Sequence, residues 1–120
     1  RSTDRMSNQP SIKCALRNWW GGPGIKRLSA ELYPTGEGSH ATASEVALTW
    51  YKYPETIQRK EMEPRIAPTG TFADAEDYRR AFPDGRIGSD PNQATPEHGK
   101  RFYNTAVDEV ARDYEAWVAR

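Results

Sequence analysis

The sequence predicts an α/β fold, in which the chain forms part of a three-layer α/β/α sandwich around a mainly parallel sheet. One observation indicates a strand: apolar and polar residues partly alternate over residues 12–19, before the run Gly21-Gly22-Pro23-Gly24. Two observations indicate helices, because apolar residues recur every three to four positions after that break and again over residues 96–118. We therefore expect one or two strands, several helices and long loops.

Two helices in the first half are predicted from their ends as well as from their spacing. Pro23 stands near the start of a short helix that reaches Leu32. Thr42 and Glu45 have the form of a capping box, which predicts a helix that continues to Tyr51. The first amide groups of a helix have no acceptor within the helix. A proline near the start has no amide N–H to satisfy, and a capping box supplies the missing acceptors.

Two further helices are predicted in the second half of the chain. Residues 72–82 carry apolar side chains on one face and end at the turn sequence Pro83-Asp84-Gly85. Thr95 is an N-cap candidate before Pro96, and a helix of about six turns follows. Residues 59–70 contain two prolines and a glycine, so we expect an irregular connection there.

Composition excludes several classes of partner. The 120 residues include 17 Lys and Arg against 17 Asp and Glu, so no basic excess predicts binding to nucleic acid. The apolar runs are too short to predict a membrane span. Residues 1–10 are polar, which predicts a loop or linker and no signal peptide. The single cysteine suits a reducing compartment, and we expect a cytoplasmic protein.

The apolar content is low for a folded chain. Leu, Ile, Val and Phe together make up only about one residue in eight. The formal net charge is nevertheless zero and 11% of residues are aromatic, a combination that is not typical of disorder. We expect a folded chain with a small core of its own, which packs against another polypeptide or another copy of itself.

Three stretches, taken in order and with their spacing, resemble the creatininase (creatinine amidohydrolase) family. The family's Gly-x-His-Ala segment with a later Glu, its connecting stretch, and the run that opens its last helix are matched by Gly38-Ser39-His40-Ala41 with Glu45, by Ile66-Ala67-Pro68-Thr69-Gly70, and by Gly85 to Gly99. The resemblance covers roughly residues 12–118. It implies that residues 11–120 are the C-terminal part of a single creatininase-like domain, since family members are about twice this length.

The resemblance implies a metal-dependent amidohydrolase that hydrolyses a C–N bond of a small amide, cyclic or linear. The N-terminal segments by which the family holds two metal ions have no counterpart in this sequence. The resemblance therefore implies that divalent ions, zinc, manganese or iron, are held mostly by residues absent from this chain, in an N-terminal half or a partner chain. It also implies a homo-oligomer.

His40 and Glu45 are the catalytic candidates. His40 follows a glycine-rich loop and precedes a helix start, a placement typical of active-site residues, and an imidazole titrates near neutrality. The resemblance implies that His40 contacts the substrate and moves protons or stabilises charge, whereas the alternative is a histidine packed in a turn. Glu45 is implied to act at the site or as a metal ligand, but its capping-box position also gives it a structural role.

Trp20, Glu37 and Ser39 are the substrate-binding candidates. Trp20 ends the predicted strand, where α/β enzymes place ligand sites, and an indole suits a flat cyclic amide, although core packing is the alternative. Glu37 and Ser39 flank His40 and either contact substrate or are solvated in the loop. The tryptophan that creatinine hydrolases place shortly before the histidine is absent here, which argues against creatinine itself.

Two rival hypotheses stay open at this point. In one, the chain is a non-catalytic assembly or accessory module that lacks a complete metal site. In the other, the site is built from neighbouring chains of an oligomer, so that metal binds and is lost in a His40→Ala variant. The first of these rivals, like the amidohydrolase hypothesis, predicts no stoichiometric metal on the isolated chain.

Overall fold

Four α-helices form the framework of residues 11–119, the part of the chain that the computed structural model describes. They are α1 Pro23–Leu32, α2 Ala43–Lys52, α3 Ala75–Ala81 and α4 Pro96–Val118. Short 3-10 turns occur at Trp19–Gly21, Pro54–Thr56 and Pro91–Gln93. The loop or linker predicted for residues 1–10 lies outside the described residues.

The predicted α/β fold is wrong for residues 11–119. This part of the chain has no β-strand, and its β-pairing consists of an isolated antiparallel bridge between His40 and Ile87. A three-layer sandwich with a mainly parallel sheet therefore does not describe it. A strand needs a neighbour for its backbone N–H and C=O groups, and the described residues provide none for residues 12–18.

The segment predicted as a strand instead runs along α4. Arg17 Nε donates a hydrogen bond to Asp113 Oδ2 at 2.6 Å, and the Lys13 ammonium lies 5.1 Å from the centroid of the Trp117 ring. Leu16 is 87% exposed. The partial alternation of apolar and polar residues therefore does not separate a buried face from a solvated one.

The helix predictions that rested on capping chemistry are confirmed. α1 has the predicted bounds, and α2 begins with a complete capping box between Thr42 and Glu45. At the start of α4 the Thr95 Oγ1 accepts a hydrogen bond from the His98 amide at 3.0 Å. Local hydrogen-bond chemistry was sufficient at the starts of α2 and α4, because each capping threonine lies three residues from the amide that it satisfies. The start of α1 was predicted instead from Pro23 and the apolar spacing.

The helix predicted over residues 72–82 is shorter than expected. Asp74 Oδ1 accepts a hydrogen bond from the Asp77 amide at 2.9 Å, so α3 begins at Ala75. Phe72 lies outside the helix and packs against Tyr78, with ring centroids 4.7 Å apart. Residues 59–70 contain no helix or strand, as predicted.

The core lies where α1, α2 and α4 meet, and its aromatic members come from all three regions. Its buried residues are Ile25, Leu28, Tyr33, Ala43, Ala47, Trp50, Ala94, Phe102 and Ala106. Gly99 of α4 crosses α2 so closely that a Cβ atom at this position would lie 2.0 Å from the Ala47 carbonyl oxygen. Within residues 11–119, no helix combines the length and the apolar character needed to cross a bilayer.

The N-terminus of α1 is capped by a side chain of α4. The amides of Gly24 and Ile25 donate to the two carboxylate oxygens of Glu109, at 2.7 and 3.1 Å. A carboxylate at this end of a helix accepts the orphan N–H groups and opposes the positive end of the helix dipole. α1 is therefore fastened to α4 at the end that carries Trp19 and Trp20.

We expect Glu109→Ala to lower the free energy of unfolding by about 1–2 kcal/mol, because two amide groups of α1 lose their acceptor. Glu115→Ala, at an exposed position of the same helix, is the matched control and should change stability by less than about 0.5 kcal/mol. Urea denaturation of both variants measures the difference. Equal effects of the two substitutions would show that Glu109 does not cap α1.

Candidate functional site

A cavity of about 740 Å³ lies between α1 and the segment that leads into α2. A volume of this size is typical of small-molecule sites. The five residues that the sequence analysis named as catalytic or substrate-binding all line this cavity: Trp20, Glu37, Ser39, His40 and Glu45. The structure thus brings the candidates together, while the role of each stays a prediction.

One wall of the cavity is a face of α1 that the sequence analysis missed. Three members recur at the i, i+3, i+4 spacing of one helix face, Lys26, Ser29 and Ala30, and Tyr33, the residue that follows α1, extends this wall. The spacing was visible in the sequence, but the apolar positions Ile25 and Leu28 dominated its interpretation. Two small residues in the middle of this face leave room for a ligand to lie along the helix.

The two tryptophans stand at the end of the cavity next to the N-terminus of α1. Trp19 and Trp20 belong to a 3-10 turn rather than to a strand end, and their rings are perpendicular with centroids 6.0 Å apart. Trp20 is 56% exposed, whereas Trp19 packs partly against the core. The indole of Trp20 is therefore accessible to a ligand, and core packing does not account for it.

His40 is held through its backbone by the neighbouring loop. The Ser39 amide donates to the Ile87 carbonyl at 2.9 Å, the Ile87 amide donates to the His40 carbonyl at 3.3 Å, and Ser89 Oγ donates to the same carbonyl at 3.0 Å. The His40 ring is exposed and stands perpendicular to the Tyr78 ring, with centroids 6.1 Å apart. The imidazole is therefore positioned at the cavity rather than sealed in a core.

The backbone is strongly bent on both sides of His40. Gly38 has φ +75°, and a Cβ atom there would lie 2.5 Å from the Ile87 carbonyl oxygen and 2.6 Å from the Ser89 nitrogen. Ala41 has φ 55°, a left-handed conformation that costs about 1–2 kcal/mol for a residue with a Cβ atom. Such bends occur where the surrounding structure fixes the backbone, and they are common at functional sites.

His40 and Glu45 also face a second, smaller concavity of about 300 Å³ on the other side. The residues that complete its lining are Ala41, Val46, Thr49 and Trp50. His40 and Glu45 therefore form the ridge between two concavities. A ligand in either concavity would contact this ridge.

The carboxylate of Glu45 is used at the start of α2. Its Oε2 accepts hydrogen bonds from the Thr42 amide at 3.1 Å and from Thr42 Oγ1 at 2.9 Å. The structural alternative given for Glu45 is thus present, and the capping box lies on the cavity wall itself. Helix capping and a place at the site do not exclude each other.

The carboxylate of Glu37 joins the two walls of the cavity. It accepts hydrogen bonds from the Ser44 amide at 2.9 Å, from Ser44 Oγ at 2.5 Å and from Ser29 Oγ at 3.4 Å. Ser29 belongs to α1 and Ser44 to α2. Glu37 therefore uses part of its acceptor capacity to join α1 to the start of α2, and its contact with substrate stays a prediction.

A hydrogen bond between buried Tyr33 and half-buried His98 links the cavity to α4. The Tyr33 hydroxyl and His98 Nδ1 are 2.9 Å apart, and the Tyr33 ring stacks on Phe102. Burial, and to a lesser extent the nearby charge of Glu37, raises the pKa of the Tyr33 phenol, so the hydroxyl is neutral at physiological pH. His98 thus anchors the start of α4 to the cavity wall.

The family model described as "Creatininase: Creatinine amidohydrolase" matches residues 1–114. The chain belongs to the creatininase family. No curated protein matches the chain. The match confirms the resemblance seen in the three sequence stretches, and it indicates an amidohydrolase in general without naming a substrate.

Creatininase-family enzymes are generally metal-dependent, and a metal ion needs several donor side chains close together. Among residues 11–119, no group of three or more His, Cys, Asp or Glu side chains is arranged to hold a metal ion. Glu45, the candidate metal ligand, bonds instead to Thr42. A zinc or manganese centre takes at least three protein donors. The described part of this creatininase-family chain therefore does not fit a complete metal centre.

Proposed function

We propose that this chain supplies the substrate-binding side of an amidohydrolase site that hydrolyses a C–N bond in a small amide, cyclic or linear. The observation that carries the proposal is the convergence of Trp20, Ser39 and His40 on one cavity of about 740 Å³. Family membership supports the class of reaction, and the cavity supports a small substrate.

His40 is the proposed proton donor to the nitrogen that leaves when the amide is cleaved. An amine leaves readily only after its nitrogen is protonated, and an imidazole holds an exchangeable proton near neutral pH. The exposed ring and the fixed backbone of His40 support this role. Ser39 would hydrogen bond to the amide, and the accessible face of Trp20 would cover a flat substrate.

Glu45 and Glu37 contribute to the proposed site mainly by position. Each carboxylate bonds to the start of α2, next to the loop that presents His40. Removing either one would release a wall of the cavity. In this proposal, Glu45 and Glu37 therefore contribute to catalysis and to substrate binding by holding the residues around His40 in place.

The proposal places divalent metal ions, zinc, manganese or iron, mostly on residues outside this chain, in a further part of the same protein or in a partner chain. Association of the chain with such a partner, or with copies of itself, is supported by apolar side chains that α4 leaves about half exposed. These are Tyr103, Val107, Val110, Tyr114 and Val118. Apolar rows of this length are typical of surfaces that pack against another polypeptide.

The test uses the natural protein that contains this sequence, purified with zinc, manganese or iron and assayed on a panel of small linear and cyclic amides. We expect hydrolysis of at least one amide, and we expect His40→Gln to lower kcat by about 10²- to 10⁴-fold. His98→Gln is the control, because the His98 ring bonds to Tyr33 and is not part of the cavity lining, and it should lower kcat by less than about 10-fold. Equal losses in the two variants would contradict the role of His40.

A non-catalytic assembly or accessory module is the second candidate. It is favoured by the use of both cavity carboxylates as helix caps and by the lack of a metal-binding group among residues 11–119. This candidate predicts that no amide is hydrolysed with any of the three metals. It also predicts that His40→Gln leaves subunit association unchanged, which size-exclusion chromatography with light scattering measures.

A further inference from the structure

A separate cavity of about 420 Å³ lies between residues 61–65 and residues 90–93. We call it the acidic cavity, because its lining carries three carboxylates and one guanidinium. Its lining residues are Glu61, Met62, Glu63, Arg65, Asp90, Asn92 and Gln93. None of them lines the cavity that holds His40, so the acidic cavity is a distinct feature of the surface.

Asp90 brings a buried acceptor to the acidic cavity that no described residue satisfies. The residue is 3% exposed, and its Oδ2 accepts a hydrogen bond from Arg65 Nη1 at 2.6 Å. Its Oδ1 has no hydrogen-bond partner among residues 11–119. Because Arg65 is itself a lining residue, this ion pair turns the Asp90 carboxylate towards the cavity. Buried polar atoms in folded proteins are nearly always hydrogen bonded, so an orphaned oxygen at a cavity indicates a donor from outside the chain.

The two amide side chains of the lining have donors in use and acceptors free. Asn92 Nδ2 donates to the Lys60 carbonyl at 2.7 Å, and Gln93 Nε2 donates to the Thr35 carbonyl at 2.9 Å. A carbonyl oxygen accepts only from the NH₂ group of an amide, which fixes the orientation of both side chains. Neither amide oxygen accepts a hydrogen bond from a residue that the structure describes. Both oxygens are therefore available to a ligand that donates.

Glu61 and Glu63 add negative charge at the exposed side of the acidic cavity. Their side chains are exposed, and neither carboxylate forms a hydrogen bond or ion pair within the described part of the chain. Three carboxylates and the one guanidinium of Arg65 leave the lining with a formal charge of −2. The Arg65 side chain is 69% exposed, so it can move without disturbing a core. The free groups and the net charge both favour a ligand with a cationic donor.

We propose that the acidic cavity binds a small ligand through a primary ammonium group, which donates to Asp90 Oδ1 and to the amide oxygens of Asn92 and Gln93. An ammonium group has three donors, no acceptor and a positive charge, which matches a lining whose unused groups are acceptors. A metal ion fits less well, because residues 11–119 contain no group of three or more His, Cys, Asp or Glu arranged to hold one. The cavity volume suits a small molecule, and this site does not depend on the proposed hydrolysis.

The test titrates the natural protein that contains this sequence with butylammonium and with butanol, a neutral counterpart of the same length. Calorimetry gives the affinities, and heteronuclear NMR follows the side-chain amide signals of Asn92 and Gln93, which should shift with the amine alone. We expect butylammonium to bind at least about 10-fold more tightly than butanol, because a charged donor meets carboxylate acceptors. Calcium and magnesium ions form a separate arm and should not displace the amine.

Three variants should change the affinity for butylammonium in opposite directions. Asp90→Asn should weaken it by about 10-fold or more, and Glu61→Gln combined with Glu63→Gln, at exposed positions that do not endanger folding, by about 3- to 10-fold. Arg65→Met should instead tighten it by about 3-fold, because a competing cation leaves the lining. Glu76→Gln, at an exposed position of α3 outside the cavity, is the matched control and should keep the wild-type affinity.

The proposal is overturned if butylammonium binds no more tightly than butanol, in which case water satisfies the orphaned oxygen of Asp90. It is also overturned if the double glutamate variant keeps the wild-type affinity, if Arg65→Met weakens binding, or if calcium or magnesium displaces the amine. Amine binding that follows the expected order of variants supports the site whether or not the protein hydrolyses any amide.

Discussion

Gly99→Ala is expected to lower the free energy of unfolding by about 3 kcal/mol, although alanine is the better helix former. Alanine gains about 1 kcal/mol over glycine in a helix interior. The added methyl group, however, would lie 2.0 Å from the Ala47 carbonyl oxygen and 2.7 Å from the Tyr51 Cβ atom. Helix backbone cannot move aside as a flexible side chain can, so α2 and α4 must separate and their shared core must repack.

Gly21→Ala is the control for Gly99→Ala. A Cβ atom at Gly21 would meet nothing within 4 Å, so this substitution should change stability by less than about 0.5 kcal/mol. Thermal and urea unfolding of the two variants give the comparison. A Gly99→Ala protein as stable as the wild type would mean that α2 and α4 do not cross as closely as described.

Arg86→Met is expected to lower the free energy of unfolding by about 2–3 kcal/mol, because the side chain is buried and its guanidinium donates four hydrogen bonds. Arg86 is 3% exposed, and its guanidinium donates to Asp84 and to the carbonyl oxygens of Pro64, Arg65 and Ser89, at 2.7–3.0 Å. Methionine preserves much of the volume but removes the guanidinium donor from the Pro64 and Arg65 carbonyls, and leaves the buried Ser89 carbonyl with the Ala67 amide as its donor. The loop that holds His40 would loosen as a result.

Arg80→Met serves as the control for Arg86→Met. The Arg80 guanidinium is exposed and pairs with Asp77 at 3.4 Å, one helical turn away, so its loss should cost less than about 1 kcal/mol. Chemical denaturation measures both variants. If the two arginine substitutions cost the same, Arg86 does not organise the loops that it joins.

The stability that the Arg86–Asp84 ion pair contributes should depend on pH. Partial burial alone would raise the pKa of the Asp84 carboxyl, but hydrogen bonds from the Arg86 amide and guanidinium outweigh burial and lower it. A lowered pKa in the folded state stabilises the protein above the unfolded value of about 3.9, and this stabilisation is lost as the pH falls through the folded value. The stability difference between wild type and Arg86→Met should therefore shrink below about pH 4.

The parts of the fold that could be predicted are those decided by neighbours in the chain. Thr42 and Thr95 accept amides three residues away, so their helix starts were visible in the sequence. The strand prediction at residues 12–19 failed because a strand depends on a partner that lies far away in sequence. Partial alternation says nothing about whether such a partner exists, and here Arg17 and Lys13 contact α4 instead.

The residues of the candidate site divide in the same way, into those that the local sequence predicts and those that depend on distant packing. Family resemblance named His40, and position in the chain named Ser39 and Trp20, all of which line the cavity. Lys26 and Tyr33 were not predicted as lining residues, because only the packing of α1 decides which of the polar side chains on this segment face the cavity. The hydrogen bonds that the Glu37 carboxylate accepts come from α1 and α2, so the sequence of the Glu37 loop alone does not predict them.

α4 contributes no residue to the cavity lining that the structure describes, but it contacts both α1 and α2, which form the two walls. Glu109 accepts hydrogen bonds from the N-terminus of α1, and His98 bonds to Tyr33, the residue after the C-terminus of α1. Gly99 packs directly against α2. A small slide or tilt of this long helix would therefore change the width of the pocket without touching a ligand. If a polypeptide that packs against the half-exposed apolar residues of α4 shifts this helix, assembly and ligand affinity become thermodynamically linked in both directions.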